Sequence, residues 1–132
     1  MYELVVEKTI AAAHFLRNYS GPCERLHGHN YRIVVFVRGS ELDEAGMLED
    51  FGEIKAAMNA MLTRFDHYNL NDLPEFAHLS PSAENIARVM AESLSCQGWK
   101  RGRVHRVEVW ETPTQGATYF LPDGCGTSRH EA

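Results

Sequence analysis

Apolar residues change their spacing several times along the chain, and each change marks an element. Residues 2–11 carry Val5 and Val6 at their centre and the β-branched Thr9 and Ile10 beyond, which predicts a first strand. Residues 14–28 hold the turn formers Asn18, Ser20, Gly21 and Pro22 and read as a loop. A second strand is predicted over residues 29–39. Tyr31, Ile33, Val35 and Val37 share one face and Val34 and Phe36 the other, so both faces are covered at least in part.

The period then lengthens. After a polar turn at 41–46, Phe51, Ile54, Met58, Met61, Leu62 and Phe65 recur at helical spacing. Asp50 is the expected N-cap, with Glu53 three residues on as its capping-box partner. Residues 66–78 form a loop rich in Asn, Asp and Pro. A second helix is expected to start near Ser80-Pro81, with Ile86, Val89, Met90 and Leu94 as its apolar stripe. A short basic turn at 97–102 leads to strands at 104–111 and 117–121, joined through Pro113 and Gly116. Two hairpins flanking two helices give an α+β chain of order ββααββ: one four-stranded antiparallel sheet with both helices packed on one face. Such a sheet leaves edges open, and open edges favour pairing with another chain. From residue 122 on, Gly, Ser, His and charge predict a flexible tail, leaving residues 1–121 as a single domain.

Composition narrows the function classes. A chain of 132 residues with 44% hydrophobic and 23% charged residues can bury one core. A net charge of -5 argues against a general nucleic-acid surface. The central apolar run, Ile33 to Val37, is far short of the roughly 20 residues a membrane helix needs. The opening Met1-Tyr2-Glu3-Leu4 lacks the basic and apolar regions of a secretory signal. With three cysteines, Cys23, Cys96 and Cys125, the expectation is a reducing, cytoplasmic setting. Cys96, ending a helix, reads as a small buried hydrophobe, and Cys125 as a tail residue without a role.

The candidate chemistry centres on His27-Gly28-His29. Side chains two apart on a strand share a face, so these imidazoles and a third from His14 can hold one zinc ion. Three protein ligands leave a fourth position open, which is the catalytic arrangement. Cys23, four residues ahead of the triplet, could then act as a nucleophile or base. A lone histidine in each place would read equally well as a surface or core residue.

Five blocks resemble, in order, the 6-pyruvoyl-tetrahydropterin synthase family: Ala12-Ala13-His14, Cys23 to Tyr31, Asp66 to Asn71, Pro81 to Asn85, and Glu111-Thr112-Pro113. The short Cys-x-x-x-His-Gly-His spacing is similar to its bacterial 6-carboxytetrahydropterin synthase branch, which serves queuosine synthesis. The resemblance implies the tunnelling fold (T-fold) over residues 1–121. It also implies a homo-oligomer, commonly a hexamer built as a dimer of trimers, with active sites between subunits. Its implied metal ligands are His14, His27 and His29, its cofactor Zn2+, and its catalytic residues Cys23, Asp66 and His67. Glu111 would anchor the pterin ring, with Thr112 adding a polar contact, and the substrate would be a pterin triphosphate. The implied reaction converts 7,8-dihydroneopterin triphosphate to 6-carboxy-5,6,7,8-tetrahydropterin, with acetaldehyde and triphosphate leaving. Arg17, Arg25, Lys55, Lys100, Arg101 and Arg103 are candidate triphosphate cations by charge alone.

Rival readings are a 6-pyruvoyl-tetrahydropterin synthase and, because Glu24 follows Cys23, cleavage of dihydroneopterin to 6-hydroxymethyl-dihydropterin for folate. A non-enzymatic zinc-binding assembly module and a generic zinc hydrolase complete the set. His78, His105 and His130 match nothing in the family and read as loop, strand-surface and tail residues.

Overall fold

The computed structural model describes residues 1–18, 21 and 24–123. Its elements run β1 (Tyr2–His14), β2 (His27–Gly39), α1 (Phe51–Leu62), two single 3-10 turns (Leu70–Asp72 and Pro74–Phe76), α2 (Ala83–Ser95), β3 (Arg103–Thr112) and β4 (Gln115–Phe120). The four strands form one antiparallel sheet in the order β1-β2-β3-β4.

The expected order holds, and the element ends shift for local reasons. β1 reaches His14 instead of stopping near Ala11, because Ala11, Ala12 and Ala13 pair with Asn30, His29 and Gly28, and His14 pairs with His27. β2 correspondingly begins at His27. The predicted 14–28 loop thus gives up both ends to the sheet. α2 starts two residues later than expected. Ser82 is its N-cap, its hydroxyl accepting the Asn85 N–H, and Pro81 precedes the cap. Asp50 caps α1 through the Gly52 N–H. Glu53 does not close a capping box; its carboxylate takes Lys100 instead, at 3.1 Å.

One core lies between the sheet and the helices. Alternate residues Val6, Ile10, Tyr31, Ile33, Val35, Val37, Val107 and Val109 meet Ile54, Met58 and Met61 of α1 and Ile86, Met90 and Leu94 of α2. Burying each of the larger side chains contributes about 1.5–3 kcal/mol. Phe51, although in phase with the stripe of α1, is half exposed. Cys96 is exposed at the C-cap of α2 rather than buried. On the other face of β2, Val34 and Phe36 are buried as expected, and the Arg106 guanidinium covers the Phe36 ring at 3.8 Å.

The segment after α1 positions the site. Its backbone runs beside the β1 edge, where Ala13 N–H donates to Tyr68 O and His67 N–H donates to Ala11 O. Among the described residues no helix is long and apolar enough to cross a membrane.

Candidate metal centre and adjoining grooves

His14 and His27 face each other across the β1–β2 ladder, and His29 stands two residues on from His27. Directly paired and alternate positions share a face, so all three rings turn toward the helix side. One nitrogen from each lies within 4.8 Å of the others. The ring centroids are 4.5, 5.2 and 4.8 Å apart.

The outer nitrogens explain how the rings are held. His14 Nδ1 lies 2.6 Å from Pro81 O, just before α2, and His27 Nδ1 lies 2.7 Å from Arg25 O. A carbonyl only accepts, so each Nδ1 carries the proton and each Nε2 a lone pair. Those two Nε2 atoms stand 3.0 Å apart. Lone pairs that close need a proton or a cation between them. Two ligands 2.0–2.1 Å from a zinc at the tetrahedral angle would stand about 3.3 Å apart, close to the observed spacing. His29 Nε2 is buried with no hydrogen-bond partner among the described residues. Burial lowers the pKa of His14 and of His29 below the usual value, with the neighbouring histidines adding to the effect. Neutral imidazoles are the form that binds a metal. The donor set and its spacing therefore fit a divalent cation, and no other described Cys, Asp or Glu joins the cluster.

Around the trio lie residues of two kinds. Glu111, at the end of β3, brings Oε2 to 3.7 Å from His14 Nε2 with its side chain mostly buried, while Oε1 accepts from Gln115 Nε2 at 3.0 Å. Thr112 Oγ1 accepts the Thr114 N–H at 3.2 Å and so shapes the β3–β4 turn. Glu111 and Thr112 line an open groove of about 540 Å³ with His29, Asn30, Arg32 and Trp110. A second open groove of about 480 Å³ includes His29, Ala13, Gly28, His67 and Tyr68. His29 borders both.

Asp66 and His67 form a pair at the β1 edge. Asp66 Oδ1 accepts the Ala11 N–H at 2.9 Å and lies 2.9 Å from His67 Nδ1. The His67 side chain is 80% exposed, and its backbone sits at φ 66°. The structure thus brings together His14, His27, His29 and Glu111. It sets His67 on the second groove, with Asp66 beside it at the β1 edge. Cys23 lies outside the described residues.

Several contributors went unread in the sequence. Tyr31 continues the His27–His29 face, and its ring centroid lies 5.7 Å from that of His14 and 5.3 Å from that of His29. Its hydroxyl is buried without a hydrogen-bond partner among the described residues, and burial raises its pKa. The period-two pattern already marked that face. Asn71 clamps the chain after His14, accepting Phe15 N–H at 2.9 Å and donating to Phe15 O at 3.1 Å. Of the candidate triphosphate cations, Arg17 is spent on the carbonyls of Phe76, Leu79 and Asn71. Lys100 holds Glu53 and Arg103 holds Asp123. Arg32, not singled out from the sequence, lines the groove beside Glu111 with its guanidinium 5.1 Å from the Trp110 ring.

A four-stranded antiparallel sheet that carries three convergent imidazoles on the face its helices cover makes this an α+β protein whose histidines could hold a metal ion. Residues 3–122 match the family described as 6-pyruvoyl tetrahydropterin synthase, and the chain belongs to that family. It is 38% identical to the 6-carboxy-5,6,7,8-tetrahydropterin synthase of Synechocystis, over 92% of this chain and 95% of the relative. The enzyme of the same name from Bacillus subtilis is 32% identical over 89% of this chain and 84% of its own. The solved 6-pyruvoyl tetrahydropterin synthase of Caenorhabditis elegans superposes with a TM-score of 0.80 at 30% identity, covering 92% of this chain and 98% of that one.

Proposed function

We propose that this chain is a 6-carboxy-5,6,7,8-tetrahydropterin synthase. It would convert 7,8-dihydroneopterin triphosphate to 6-carboxytetrahydropterin with release of acetaldehyde and triphosphate, a cytoplasmic step toward queuosine. The observation that carries this reading is the convergence of His14, His27 and His29, with Glu111 3.7 Å from His14, in a chain whose near-full-length relatives bear that name.

The three imidazoles would hold Zn2+, which supplies Lewis-acid polarisation of the substrate's side-chain hydroxyls. Glu111 accepts the pterin's amino and ring N–H groups as a bidentate pair and fixes which carbon faces the base. Cys23, as thiolate, removes the proton from that carbon. His67, held by the Asp66 carboxylate 2.9 Å away, moves protons as the side chain is cleaved. Arg25, whose carbonyl already holds His27, and Arg32, which lines the groove beside Glu111 and makes a loose, exposed 3.6 Å ion pair with Glu7, are the cations we assign to the triphosphate. The exposure of His67 at a sheet edge suits a homo-oligomer, a dimer of trimers with active sites between subunits. Residues 1–121 would be the catalytic domain and the C-terminal segment from 122 would lie outside it.

The test is to incubate the zinc-loaded protein with dihydroneopterin triphosphate and identify the product by mass. The carboxy-pterin is expected. A pyruvoyl- or hydroxymethyl-pterin reassigns the reaction within the family, and no turnover at all overturns the enzyme reading.

A further inference from the structure

The opposite face of the sheet, at its other end, carries a second constellation. Glu3 pairs across β1–β2 with Arg38, and Arg38 pairs across β2–β3 with Arg103. One step along, Val5, Phe36, Arg106 and Phe120 form the next row. A register shift opposite Phe36/Val37 admits His105 as an extra residue of β3. Arg38 lies 11 residues from His27 along β2, about 36 Å at the usual strand rise. This cluster is therefore separate from the imidazole trio.

Two guanidinia and an imidazole gather here around the Glu3 carboxylate, and a third guanidinium, that of Arg103, acts on the same imidazole. Glu3 accepts from Arg38 Nε at 2.7 Å and from Arg106 Nη1 at 3.4 Å, and its Oε2 lies 3.9 Å from His105 Nδ1. Among the described residues Arg103 holds Asp123, whose side chain is 93% exposed. Two nitrogens are left over. Arg103 Nη1 and His105 Nδ1 are each buried and without a hydrogen-bond partner among the described residues. Stranding buried donors is costly unless a ligand meets them. Arg106 and His105 are also held in place from below. The Arg106 guanidinium lies over the Phe36 ring, and the His105 ring packs edge-on against Phe120 at 5.7 Å. Burial and the surrounding arginines lower the pKa of His105, a sign that positive charge is crowded at this spot.

We propose that Arg38, Arg103, His105 and Arg106 form a binding site for a phosphate-type oxyanion, with the Glu3 carboxylate occupying part of the ligand's place. Guanidinium forks match phosphate oxygens in pairs, and an internal carboxylate among them marks where negative charge is most favoured. The site is independent of the pterin reading. Its ligand is either a single phosphate or a polyphosphate chain, both offering the same oxygens.

The experiment is calorimetric titration of the zinc-loaded full chain with orthophosphate and with tripolyphosphate at constant ionic strength. Glu3→Gln, Arg38→Gln and Arg103→Gln are compared with the unaltered protein. Removing the internal competitor should tighten binding at least fivefold in Glu3→Gln. Arg38→Gln and Arg103→Gln should each weaken it about tenfold, the loss expected for one charge-assisted contact. The Arg103–Asp123 ion pair reaches an exposed side chain and contributes little to stability, so Arg103→Gln is the variant least damaging to the fold. Preference for tripolyphosphate assigns a chain ligand, and equal or better orthophosphate binding assigns a single ion. The proposal is overturned if neither anion saturates in the unaltered or Glu3→Gln protein, or if binding is indifferent to both arginine substitutions.

Discussion

Replacing Glu111 by Gln separates three roles that a carboxylate beside the trio can play. The change keeps size and shape, and the Gln oxygen can still accept from Gln115, so the turn should persist. What is lost is the negative charge on an oxygen 3.7 Å from His14 Nε2, in a side chain only 18% exposed. If that oxygen meets a ring N–H or amino group, substitution turns an acceptor into a donor facing a donor. Losing a charge-assisted contact in a partly buried place costs about 2–3 kcal/mol, or roughly 30- to 160-fold in kcat/KM. The assay is steady-state product formation run beside metal analysis of the same samples. We predict the fall in kcat/KM with metal content unchanged. Less than a threefold change refutes the anchoring role, and loss of metal together with activity would make Glu111 a ligand.

Other outcomes follow from the same geometry. Asn71→Ala removes both bonds to Phe15 and should cost about 1–3 kcal/mol in urea unfolding while weakening metal binding, since His14 is the preceding residue; unchanged stability would show the clamp to be idle. Asp66→Asn keeps an acceptor for the Ala11 N–H but removes the charge beside His67, so turnover should drop about 100-fold, the low end for acid–base catalysis, with the unfolding midpoint nearly constant. His14 and His29 have folded pKa values lowered from 6.5. The unfolded metal-free chain therefore takes up protons first as pH falls below 6.5, and stability present above that pH is lost below it; a urea midpoint that rises between pH 7.5 and 5.5 contradicts this.

The sequence and the structure agree where local chemistry is self-contained. Asp50 and the 51–65 stripe announce α1 because a cap and an apolar face act within a few residues. Tyr31 to Val37 announces β2 because alternation is visible without a partner. The end of β1 was hidden, since Ala11 to Ala13 favour helix over strand by themselves and become strand only when His29 and its neighbours pair with them. For the same reason the pairing of His14 with His27 could be suspected from residue types but not read as a register. The Pro81 carbonyl that orients His14, and the edge pairing that carries Asp66 and His67, depend on backbone meetings across 67 and 55 residues. No local pattern encodes such meetings. Arg17 looked like a ligand-binding cation because charge is legible, while the carbonyls that consume it are not.

The most direct test of the account is the coordination shell of zinc bound to the intact chain, read by X-ray absorption at the zinc edge. One zinc per chain, with three imidazole nitrogens at about 2.0–2.1 Å and one further light oxygen, is the predicted result. It should give way to loss of the metal in His27→Ala. A sulfur scatterer at about 2.3 Å, a fourth protein ligand of any kind, or failure to retain zinc would contradict an open imidazole-held centre.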